Sequence, residues 1–125
     1  MLKPLRPALV WGGIVFILLS LPGAYIQKIT PSWHIMIFDK LAHAGLFFVF
    51  SFLLMRGFYL QYKYTFLRLH YTIAGVIFGI VFGTFLELWQ AFLNINRHAD
   101  IYDFIANATG SFLAWPVFQK IKHHV

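Results

Sequence analysis

The chain has no cysteine, only four acidic residues and little charge of either sign. Without cysteine there is no disulfide, no thiolate metal site and no thiol nucleophile, and the absence says nothing about compartment. Charged residues are 11% of the 125, against about 25% in an ordinary soluble domain. That scarcity excludes a water-facing surface of normal make-up.

What is present is apolar. Hydrophobic residues are 60% of the chain and aromatics 20%, with a mean hydropathy of +0.72. Such a chain would aggregate in water, which points to the bilayer as its solvent. A spanning helix takes about 20 apolar residues, so four of them nearly fill the chain and leave no room for a soluble catalytic domain. The expected fold class is all-α, a multi-pass membrane protein. Residues 1–125 are read as one transmembrane domain, a bundle of about four helices near 8–25, 38–59, 71–93 and 101–118.

The formal charge of +6 raises the question of nucleic acid. The basic residues are scattered singly around the hydrophobic segments, so they fit a topology signal and no nucleic-acid partner is expected. Lys3 and Arg6 before the first span also suit a signal peptide, but Leu21-Pro22-Gly23-Ala24 offers no small-x-small cleavage site, and a retained helix is expected. A loop with Lys28, Pro31 and Trp33 follows it. Arg56, Lys63, Arg68 and several tyrosines mark the connection after the second span as interfacial. Seven basic residues fall on the side of the N-terminus, against Lys28, Lys40 and Arg97 on the other. Both termini are therefore expected in the cytoplasm.

On that topology all four acids, Asp39, Glu87, Asp100 and Asp103, collect at the outer helix ends. Asp39 and His43 are four apart near the start of the second helix, and Lys40 lies between them. Glu87 and Gln90 share a face of the third; Asp103 and Asn107 share one of the fourth. Arg97 stands in the turn between the last two spans.

Gly75, Gly79 and Gly83 repeat at four-residue spacing, and Glu87 and Ala91 continue the stripe, which turns Glu87 into the bundle. Ala106, Gly110 and Ala114 form a second small-residue row beside Asn107. Ser111 is read as turned by about 80° from the Asp103–Asn107 side. The glycine stripe fits packing within one chain or between copies, so a homo-oligomer stays open. Glu87 should lie roughly 10 Å below the outer turn, in a shallow polar pocket. A carboxylate inside a span costs about 2.5–3.5 kcal/mol on insertion scales, which makes it a functional candidate.

These residues carry a family resemblance. Ser20-Leu21-Pro22-Gly23, Asp39-Lys40-x-x-His43, Glu87-x-x-Gln90, Arg97, Asp103 and Asn107-x-x-Gly110 together resemble the VanZ-like family of small bacterial membrane proteins. The match runs from about residue 18 to 114. The chain departs from the pattern at Asn94-Ile95-Asn96, where a proline is usual, and at Ala114, where glycine is usual. The resemblance implies a bacterial cell membrane location and a link to the envelope, since the founding member is associated with resistance to the glycopeptide teicoplanin. It supplies no reaction and no cofactor.

Several readings of the cluster follow. In the first, Asp39, Lys40, His43, Glu87, Gln90, Arg97, Asp100, Asp103 and Asn107 bind a ligand. That ligand is an anionic lipid headgroup, a lipid-linked cell-wall precursor or a lipoglycopeptide, with Arg97 and Lys40 on the anion. In the second, the chain is a small membrane hydrolase or transferase acting on a lipid-linked phosphate or ester. There His43 and Asp39 are base and orienter, and Glu87 or Asp103 is an acid or metal ligand. A proton- or ion-coupled carrier fits less well, because the inner helix halves lack ionisable groups. The structural alternative is a network that fixes helix register.

Overall fold

The computed structural model describes residues 2–19, 32–93 and 101–124. These residues are almost entirely helical: α1 (Leu2–Leu19), α2 (Ser32–Leu60), the short α3 (Thr65–Leu69), α4 (Tyr71–Leu93), α5 (Ile101–Ile121) and a closing 3-10 turn, Lys122–His124. No strand occurs among them. Among the described residues two segments are long and apolar enough to cross a membrane: Lys40–Leu60, with mean hydropathy 1.6, and Tyr71–Trp89, with 1.8. At 1.5 Å per residue each runs to roughly 30 Å, the thickness of a bilayer core.

The helix boundaries correct several expectations. α1 begins at Leu2, six residues before the expected start, because Pro4 in the first turn forfeits only an amide that has no helical partner. α2 begins at Ser32, so Trp33 belongs to a helix and Asp39 stands about two turns inside it. The connection after α2 contains α3, a single helical turn and a half. α5 runs on to Ile121, past the expected end at 118.

The four long helices run up and down. Leu5 of α1 lies against Gly57 of α2, and Trp11 donates its indole N–H to the Leu46 carbonyl at 3.0 Å, so α1 and α2 are antiparallel. Gly75 and Gly79 of α4 meet Met55 and Ser51 of α2. At the opposite ends of the same pair, Glu87 meets His43. α5 then packs antiparallel to α4, Gly79 against Ser111 and Gly83 against Asn107. α2 is the hub, with its largest interface to α5.

That interface depends on one missing methyl: a Cβ on Gly110 would collide with the carbonyl of Ala44. The glycine stripe of α4 is likewise consumed inside the chain. The core itself is aromatic and aliphatic. Phe47, Phe50 and Phe82 cluster between α2 and α4, and Phe118 of α5 stacks edge-on against Phe52, Tyr59 and Tyr71.

Candidate functional site: a buried histidine, glutamate and asparagine

The α4 stripe turns Glu87 inward, four residues beyond Gly83, and its side chain is almost wholly buried. Facing it from α2 is His43, also fully buried, with Nδ1 3.9 Å from Glu87 Oε1. The third member comes from α5. His43 Nδ1–H donates to Asn107 Oδ1 at 2.9 Å, which fixes the imidazole with its proton on Nδ1. Asn107 reaches this position because Gly83 has no side chain; a Cβ there would lie 3.1 Å from the asparagine's Cβ and Nδ2. One polar group from each of α2, α4 and α5 therefore meets at one level of the bundle.

The asparagine has capacity left over. Its Nδ2 is buried and has no hydrogen-bond partner among the described residues. An unpaired buried amide costs about 1–3 kcal/mol.

A second polar layer lies deeper. Ser51 of α2 and Ser111 of α5 are both fully buried, and their hydroxyls converge on the place where a Gly79 side chain would be. Neither hydroxyl has a hydrogen-bond partner among the described residues. Ser111 thus corrects the expectation that it faces away: residues four apart share a helix face, and the one-turn step from Asn107 outweighs the drift counted from Asp103. Ser51 was not singled out by the sequence at all. Its i, i+8 relation to His43 is a possible signal, but serine inside an apolar run carries little information by itself.

Polar groups at the opposite end of the bundle behave differently. Gln61, buried after the last turn of α2, donates through Nε2 to the carbonyls of Phe58 (3.3 Å) and Tyr64 (2.8 Å) and accepts from the Tyr64 amide at 2.9 Å. It clamps the turn into α3. Tyr71 OH donates to Gln119 Oε1 at 3.0 Å and accepts from Lys122 Nζ at 3.3 Å.

The other predicted residues divide by position. Lys40 is half-buried, one turn from His43 on α2. Asp39, Gln90 and Asp103 sit in helices, but their side chains lie outside the described residues, as do Arg97 and Asp100 altogether. Asp39 precedes His43 by one turn and Asp103 precedes Asn107 by one turn, so both backbones stand over the buried triad on its acidic-end side. Among the described residues no three His, Asp or Glu side chains gather as a metal site would need.

The fold and site define a class: a helical bundle with an apolar exterior and a buried carboxyl–imidazole–amide cluster near one end. No protein family model, no curated protein and no solved structure matches the chain.

Proposed function

We propose that this chain is a four-span membrane protein of the VanZ-like kind, with both termini in the cytoplasm. In this reading the Glu87–His43–Asn107 cluster is the floor of an outward-facing site for an anionic ligand. The membrane reading extends beyond α2 and α4 because α1 and α5 also expose large apolar side chains. Leu9, Val10 and Ile17 of α1, Val81 and Phe92 of α4, and Phe112 and Leu113 of α5 are each more than half exposed. Histidine, glutamate, asparagine and two serines are buried beside the aromatic and aliphatic core. The exposed hydroxyls of Thr84 and Thr109 donate to their own helix, to Ile80 and Ile105 carbonyls at 3.0 and 2.7 Å, as a hydroxyl without water must.

The single observation carrying the binding role is the buried Asn107 amino group with no partner among the described residues, beside an imidazole and a carboxyl group. A purely structural network would satisfy it. In this reading Lys40 and Arg97 draw in the anion at the rim, with Asp39, Asp100, Asp103 and Gln90 shaping the entrance. The ligand class is a lipid-borne phosphate: an anionic headgroup or a lipid-linked cell-wall precursor, with a lipoglycopeptide as the envelope-linked alternative.

The enzyme reading has one observation in its favour, the 3.9 Å approach of His43 to Glu87, since a carboxyl-oriented imidazole is a general-base arrangement. Against it, the Ser51 hydroxyl is eight residues along the same helix from His43, roughly 12 Å away. No nucleophile stands beside the base among the described residues.

Two experiments test the proposal. The chain has no native cysteine, so single cysteines at positions 3, 63, 97 and 122 report topology cleanly with a membrane-impermeant maleimide. Only position 97 should label in intact cells. Purified protein in phosphatidylcholine nanodiscs is then titrated with a short-chain polyprenyl phosphate. The wild type should bind, and Glu87→Gln, Asn107→Leu and Arg97→Gln should each weaken binding at least tenfold while remaining helical. Equal binding by all variants sinks the site; release of inorganic phosphate during the titration favours the enzyme.

A further inference from the structure

A groove runs along the exterior between α4 and α5, far from the buried triad. Thr72, Val76 and Ile80 line one wall, with Ile73 and Ile77 beside them; Phe112 and Trp115 line the other, around a volume of about 190 Å³. Apart from the threonine the lining is wholly apolar, and it lies on the face that the four-span reading turns to lipid.

One end of the groove is not apolar. On α5, Phe112, Trp115 and Gln119 advance by three and four residues along one helical face, and Lys122 follows three residues on, in the closing 3-10 turn. The groove wall therefore continues into the Tyr71–Gln119–Lys122 contacts. Lys122 is half-buried there; its Nζ is bound to the neutral phenol of Tyr71 at 3.3 Å and sits 6.0 Å from that ring's centroid. No carboxylate pairs with it among the described residues, and none of the four acids belongs to this end of the chain. Lys120, exposed, stands two residues before it and so on the opposite side of the helix end, while Arg68 and Lys63 rest on the rings of Tyr62 and Tyr64.

A half-buried cation with no carboxylate partner among the described residues, at the mouth of an apolar trough, has the shape of a phospholipid binding site. We propose that the α4–α5 groove holds part of one acyl chain of an anionic glycerophospholipid whose phosphate is met by Lys122. The site is separate from the triad and rests on the membrane reading, whichever leaflet this end faces. Each lysine near the headgroup layer should contribute about a fivefold preference for anionic over zwitterionic lipid at low salt, weakened as salt shortens the Debye length.

Trp115 lies in the groove and supplies the readout. A variant keeping only this tryptophan (Trp11, Trp33 and Trp89 each changed to Phe) is reconstituted in phosphatidylcholine containing 10 mol% (on the order of one lipid in ten, which occupies about a third of the sites at fivefold selectivity) of either brominated phosphatidylglycerol or brominated phosphatidylcholine. The phosphatidylglycerol should quench Trp115 several-fold more strongly, and Lys122→Gln should equalise the two. Equal quenching in the unmutated background overturns the proposal. Should the three-tryptophan variant fail to fold, native mass spectrometry of the otherwise wild-type chain decides: excess retained phosphatidylglycerol, lost in Lys122→Gln, is expected, and no excess overturns it. Glu87→Gln should leave the preference intact, which separates this site from the triad. Quenching by neither lipid removes the bilayer reading and this proposal with it.

Discussion

The two ends of the bundle use polar residues for different purposes. At the basic end, Gln61 makes three hydrogen bonds and the Tyr71 hydroxyl bridges Gln119 and Lys122. Each group has a partner, and each contact ties a turn or a helix end. Toward the other end, His43, Glu87 and Asn107 are buried deep among apolar helices, and the asparagine amide and two serine hydroxyls find no hydrogen-bond partner among the described residues. Satisfied polar groups rigidify a fold, whereas unsatisfied ones carry a standing cost.

The sharpest way to test the contrast is to disturb the scaffold that both ends share. Gly110→Ala drives a methyl into the Ala44 backbone carbonyl, which cannot move without α2. The loss should reach or exceed the ~3 kcal/mol upper range of overpacking, read as a collapse of thermal stability in detergent. A variant of native stability would mean that the α2–α5 contact is looser than the structure has it.

Next in size are changes at the triad. Glu87→Gln should cost at least a factor of ten in anion binding while leaving the melting temperature within a few degrees, since the amide keeps the volume. If stability falls and binding survives, the cluster is a register lock. At the basic end the expectation reverses. Gln61→Leu removes three hydrogen bonds, each net about 0.5–1.5 kcal/mol, so stability should drop by roughly 2 kcal/mol with binding unchanged.

The smallest effect belongs to the serine layer. Ser51→Ala and Ser111→Ala delete hydroxyls that have no partner among the described residues, so each should be within about 0.5 kcal/mol of neutral, or slightly stabilising. A loss of function from either, with the fold intact, would bring the enzyme reading forward by identifying a nucleophile.

How much was legible in the sequence varies by element. α4 is plainest: its glycines, spaced by four, mark a face, and Glu87 on the same face is found buried. Asn107 beside the Ala106–Gly110–Ala114 row is buried in the same way. The starts of α1 and α2 were misplaced because proline and an amphipathic first turn, Ser32-Trp33-His34, read as loop. Convergence of the acids on one another falls on side chains beyond the described residues. What meets Glu87 within them is an imidazole and an amide.

The sequence by itself determined the apolar character, the helices and the inward face of each small-residue stripe, because those follow from composition and a fixed 3.6-residue period. Only tertiary structure decided who stands opposite whom: His43 against Asn107 and Glu87, Ser51 beside Ser111, and Lys122 at the end of a groove. Those pairings depend on how far one helix slides along another before its glycines meet a neighbour's backbone, a distance that no local pattern records.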